Sequence, residues 1–170
     1  MKTLFIARHA KSGWDYPNVE DIDRPLTQGG IHAAYEVSQS LKKQSILPDA
    51  VLSSPANRAI HTALIHCRVL GFPEQGIEIH PSIYHDGEFG VLKLLHGAPS
   101  SISSIMVVGH NPTLTLIAQR FAPYGIENLQ TSGVVKIEFQ TNKWLDVSAQ
   151  NIIKATYFKR NEIVDLNYDK

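Results

Sequence analysis

Short apolar runs alternate along the chain with longer segments in which apolar residues recur every three or four positions. The first pattern is that of buried strands and the second that of amphipathic helices. Their alternation predicts an α/β fold: a three-layer sandwich with a mostly parallel sheet, helices on both faces and an antiparallel edge strand. Strands are predicted over residues 3–7, 49–53, 77–80 and 104–108, the last carrying the clearest apolar run, Ser104 to Val108. Later strands are predicted over 134–139, 143–147 and 154–158.

Helical spacing covers residues 30–46, with Ile31, Ala34, Val37 and Leu41 on one stripe. A second helix carries Ala59, Thr62, Ala63, Ile65 and Leu70 and stops at Gly71; further helices are predicted over 88–96 and 113–121. Thr27, Ser54 and Asn111 are placed to cap three of these helices, with Pro55 and Pro112 as first helical residues. Residues 11–25 are polar and irregular and read as a loop, and the polar end from Glu162 is expected to fray.

At 170 residues the chain is long enough for one domain, spanning 1–170 with its core over about 3–158. Lys plus Arg and Asp plus Glu both number 16, so the formal charge is zero. That balance speaks against nucleic acid or an anionic membrane as partner and makes any anion site a local one. Cys67 is the sole cysteine, which excludes an internal disulfide and a Cys-rich zinc site. The opening apolar run is too short for a signal peptide, and no stretch approaches the ~20 apolar residues of a membrane helix. A cytoplasmic location is expected.

Chemistry concentrates where three predicted strands end: Arg8-His9, Ser53-Ser54-Pro55-Ala56-Asn57-Arg58 and Gly109-His110-Asn111-Pro112. In open parallel sheets, ligands bind outside the carboxyl ends of the strands. Arg8, His9, Arg58 and His110 are therefore expected to converge, with helix N-termini after Ser54 and Asn111 adding amide donors. Two guanidinium groups and two imidazoles describe a pocket for a dianion such as a phosphoryl group. No Asp or Glu sits in these segments, so magnesium-type ligation is not expected, and no metal or cofactor is assigned.

A neutral histidine is a competent nucleophile near pH 7. His9 is the expected nucleophile, with Arg8, Arg58 and His110 stabilising charge on the phosphoryl oxygens. Ser12 is a further phosphate-contact candidate. The other histidines, and Cys67, are expected to pack or face solvent. Each residue taken singly has a plain structural explanation, and it is their shared position at strand ends that favours a site.

Arg8-His9-Ala10-Lys11-Ser12-Gly13-Trp14 resembles the Arg-His-Gly signature of the histidine phosphatase superfamily, which also contains the phosphoglycerate mutases. Arg24-Pro25-Leu26-Thr27-Gln28-Gly29-Gly30, the segment from Ser53 to Ala59 and Gly109-His110-Asn111-Pro112 are similar to its further landmarks, in order. The wording is most similar to the short bacterial protein-phosphohistidine phosphatases. The resemblance implies that His9 is the phosphorylated residue, that Arg8, Arg58 and His110 hold phosphate, and that the substrate is a phosphorylated protein in bacterial signalling.

Two departures stand out. Ala10 replaces the usual glycine and is expected to restrict the backbone if that position needs an unusual φ. Asp15 stands where related mutases carry asparagine, and its charge opposes a second phosphate. The general acid is open: Asp86 and Glu88, in Tyr84-His85-Asp86-Gly87-Glu88, are both candidates. The expected activity is thus a metal-independent phosphatase acting on protein phosphohistidine. The alternatives are a phosphatase for a small phosphoester and a non-catalytic phosphate-binding module.

Overall fold

The structure is a computed structural model that describes residues 1–122 and 125–166. Seven strands form one mixed sheet: β1 (Lys2–Arg8), β2 (Ala50–Ser53), β3 (Ile77–Ile79), β4 (Ser104–Gly109), β5 (Val134–Phe139), β6 (Ile152–Lys159) and β7 (Glu162–Leu166). Their order across the sheet is β3-β2-β4-β1-β5-β6-β7. The first four in that order run parallel, and β5, β6 and β7 add antiparallel pairings beyond β1.

The two-residue period of β1 divides the core. Leu4 and Ile6 point to one face, where they join Val91 and Leu95 of helix α4 (Gly87–Gly97) and Leu114 and Ile117 of helix α5 (Thr113–Phe121). Phe5 and Ala7 point to the other face, against Val37 and Leu41 of helix α1 (Gln28–Lys43) and Ala59 and Ala63 of helix α2 (Asn57–Leu70). A one-residue slip would exchange these faces, so the register is strongly specified. Each large apolar side chain buried this way contributes on the order of 2 kcal/mol. A one-turn helix, α3 (Ser82–His85), precedes α4.

Several expectations are corrected. Residues 143–147 do not form a strand; Trp144–Asp146 is a 3-10 turn that buries the indole. The polar end does not fray before residue 166, because β7 pairs with β6 from Lys159↔Glu162 to Ala155↔Leu166. β5 is thus an interior strand, and the sheet continues for two strands beyond it. Thr27 caps α1 as expected, its hydroxyl accepting from the Gly30 amide. Ser54 and Asn111 do not cap helices: α2 and α5 start after Ala56 and Pro112, and neither N-cap residue makes a side-chain cap.

Candidate active site

β4 lies between β1 and β2, so three strand ends stand side by side. The ladder carries on just past them, with the His9 amide donating to Gly109 O at 3.0 Å and the Ser54 amide to Val108 O at 3.0 Å. The sequence segments singled out by pattern are thus adjacent in space.

His9 is held from three directions through its backbone. Its amide is bound to the end of β4, its carbonyl accepts from the Ser132 amide at 3.2 Å, and the next amide, Ala10, donates to Thr62 Oγ1 at 2.9 Å. Thr62 in turn donates to Arg58 O at 2.7 Å, tying this mesh to α2. Ala10 carries no positive φ, and its methyl is buried with Ala34 and Ile65. The expected strain at Ala10 is absent: the position uses ordinary backbone angles, and the side chain packs.

The imidazoles of His9 and His110 lie 5.0 Å apart, centroid to centroid, at 53°. His9 Nδ1 sits 2.7 Å from Ala10 O, a group that only accepts. The proton is therefore on Nδ1, and Nε2 carries the free lone pair. Burial lowers the His9 pKa to about 4 against the opposing pull of the Ala10 carbonyl, and the charges of Arg58, Arg8 and Arg24 lower it further. Burial likewise lowers His110 to about 3, reinforced by His9 and Arg58. Both rings are neutral near pH 7. His110 Nε2 meets Ser54 Oγ at 2.7 Å, and its Nδ1 is buried with no protein partner among the described residues.

Arg8 donates from one Nη to Leu129 O at 2.7 Å, while its Nε is buried and unpaired among the described residues. The same carbonyl accepts from Asn111 Nδ2 at 3.0 Å, so Asn111 ties the loop before β5 to the strand end. Arg58 has the same character: it is 5% exposed, its Nη atoms reach Asp21, and its Nε is unpaired.

Asp21 is the residue of this cluster that sequence reasoning missed. It lies in a 3-10 turn, Asp21–Asp23, within the polar loop after β1. Its carboxylate accepts from Arg58 at 2.9 Å, Arg24 at 3.0 Å and Tyr84 at 2.7 Å. Burial by itself raises its pKa, but these three donors outweigh it and hold the group well below the usual carboxylate range. Arg24 was also missed as a site charge; its Nη donates to Ser12 Oγ at 2.8 Å, and its guanidinium stacks 3.9 Å from the Trp14 ring centroid. Ser12 is thus engaged by Arg24. The i,i+3 spacing of Asp21 and Arg24 was the only local signal. Tyr84 also sets its ring edge 5.3 Å from His110.

The candidate acids fall elsewhere. Glu88, in the first turn of α4, pairs with Arg120 of α5 at 3.6 Å. Asp86 is exposed at the α3–α4 junction. Neither hydrogen-bonds or ion-pairs with His9, His110, Arg8 or Arg58. Cys67 is buried, and burial pushes its thiol up to about 12, the inert form. Among the described residues, no group of three or more His, Cys, Asp or Glu is arranged to hold a metal ion, and no helix is long and apolar enough to cross a membrane.

Formally, Arg8, Arg24 and Arg58 against Asp21 leave two positive charges around the neutral His9 ring. That balance matches a dianion.

Residues 4–83 match the model of the histidine phosphatase superfamily (branch 1). An uncharacterized chloroplastic protein of Arabidopsis thaliana is 31% identical over 157 residues, which span 87% of this chain and 71% of the relative. Among solved structures, SixA from Agrobacterium tumefaciens, assigned there as a phosphohistidine phosphatase, superposes with a TM-score of 0.70. It is 28% identical, over 81% of this chain and 91% of that one. The protein histidine phosphatase SixA complexed with tungstate has the same fold, with a TM-score of 0.67 at 21% identity over 96% and 97% of the two chains.

Proposed function

Because the chain belongs to the histidine phosphatase superfamily, we propose that it hydrolyses phosphohistidine on a protein through a phosphoryl-enzyme intermediate at His9. The observation that carries this reading is the hydrogen bond from His9 Nδ1 to Ala10 O, which leaves Nε2 as a neutral, rigidly held nucleophile beside three guanidinium groups.

In the first half-reaction, the Nε2 lone pair attacks phosphorus. The N–P bond to His9 forms as the substrate's N–P bond breaks, and the leaving imidazole keeps the electron pair and takes a proton from water. Arg8, Arg58 and His110 stabilise the charge that develops on the equatorial oxygens. Water then attacks phosphorus, the bond to His9 breaks, and inorganic phosphate leaves with His9 neutral again. Holding the imidazole fixed lowers the entropic part of the barrier.

Two points favour a nitrogen-linked substrate over an oxygen ester. An ester leaving group gains from a strong general acid, whereas Glu88 is engaged by Arg120 and Asp86 lies exposed. The similarity to SixA from Agrobacterium tumefaciens points the same way.

The test is rapid quenching with a labelled phosphohistidine protein. An acid-labile, base-stable phosphoryl group is expected on His9, and none in His9→Ala. Steady turnover without any trapped label, or with label on another residue, would falsify the mechanism. Turnover of small esters alone, lost in Asp86→Asn or Glu88→Gln, would replace the substrate class.

A further inference from the structure

A groove of about 550 Å³ has Arg8 as part of its wall, while neither His9 nor His110 lines it. Lys11 and Arg160 also line it, and no Asp or Glu does. The start of α1 lines it too, with Gly29 presenting open backbone and Gly30 packed on the Lys11 backbone. Lys11 makes no ion pair among the described residues, whereas Arg160 is paired at the surface with Glu36. Ser132, only 1% exposed, lines the same groove, and its hydroxyl has no partner among the described residues.

We infer that this groove holds acidic side chains of the protein substrate next to the phosphohistidine. The inference rests on the phosphatase reading above and specifies which substrates that site accepts. Three features support it. Three cations without a lining carboxylate favour an anionic occupant. Sharing Arg8 with the phosphate pocket places the occupant a few residues from the scissile group. The side-chain-free surface at Gly29, where no atom lies within 4 Å of the Cβ position, admits a polypeptide segment closely. An exposed ion pair such as Arg160–Glu36 is worth little, so Arg160 can exchange Glu36 for a substrate carboxylate at small cost.

The experiment uses the full chain and two fluorescently labelled peptides with one central histidine, flanked by glutamates in one and glutamines in the other. Binding of the unphosphorylated pair is measured first. The glutamate peptide is expected to bind roughly tenfold more tightly, as two or three exposed ion pairs allow. That preference should vanish in Lys11→Glu with Arg160→Gln. It should persist in Lys42→Glu with Lys43→Gln, which changes the net charge equally at the other end of α1, about 20 Å from Gly29.

Equal binding of the two peptides by the unaltered protein overturns the inference. So does a preference that survives the groove substitutions, or one abolished equally by the remote pair. Phosphate release from the phosphorylated peptides is then followed. An acidic preference in binding with no release from either peptide keeps the groove and removes the phosphatase reading. Release at equal rates with equal binding does the reverse.

Discussion

Arg58 and Asp21 meet through two contacts across 37 residues of sequence, one guanidinium nitrogen on the Asp21 carbonyl and another on its carboxylate at 2.9 Å. Asp21 thereby fixes the Arg58 guanidinium and offsets part of its charge. Asp21→Asn keeps the shape but weakens three charge-assisted bonds. A loss of 1.5–3 kcal/mol of such bonding corresponds to a fall in kcat of roughly tenfold to a hundredfold. Inorganic phosphate should inhibit this variant more strongly, since the pocket becomes more positive. A kcat loss accompanied by weaker phosphate inhibition would contradict the role.

Both site imidazoles should titrate far below free histidine, near pH 4 for His9 and pH 3 for His110, when followed by NMR. Adding inorganic phosphate should raise both midpoints, because an anion replaces net repulsion from the arginines with attraction. Midpoints near 6.5, unmoved by phosphate, would remove the electrostatic basis of the site.

The same depressed values couple to stability. Unfolded histidines take up protons near pH 6.5, whereas folded His9 and buried His66 do so near pH 4 and His110 near pH 3. The unfolded state therefore binds more protons between these limits, and stability falls as pH drops from about 6.5 towards 4. His66 alone contributes at most about 3 kcal/mol to that fall. Urea titrations at pH 7, 5.5 and 4.5 should show the decline, and His66→Gln should flatten it.

Ser54 is fully buried, and its hydroxyl serves both His110 Nε2 and the Ala56 amide. Ser54→Ala leaves that amide and the ring without this partner, costing roughly 1–3 kcal/mol of stability. It also frees the His110 ring to reorient, so kcat should drop about tenfold while substrate binding changes less. Thermal unfolding and steady-state kinetics on the same preparation separate the two effects.

Gly30 presses α1 onto the segment after His9: a methyl group there would lie 2.3 Å from Lys11 O. Gly30→Ala is expected to destabilise the chain by about 1–3 kcal/mol, as overpacking does, and to lower activity by moving that segment. Gly29→Ala, one residue earlier, meets no atom within 4 Å and should be close to neutral in stability.

The pattern of residues by itself determined the strands over 3–7, 49–53 and 104–108 and the placement of His9, Ser54 and His110 just past their ends. Those features follow from short uninterrupted apolar runs and from local strand-to-helix punctuation, both of which depend on near neighbours. Tertiary structure alone decided that the Asp21 carboxylate, from a loop with no regular pattern, clamps Arg58 and Tyr84 from 37 and 63 residues away. It likewise made Ser54 a partner of His110 rather than a helix cap, and carried the polar end into β7. A side-chain hydrogen bond is chosen by whichever donor the folded backbone brings within about 3 Å, and an edge strand needs only a neighbour's free amides and carbonyls. Neither leaves a period in the sequence to be read.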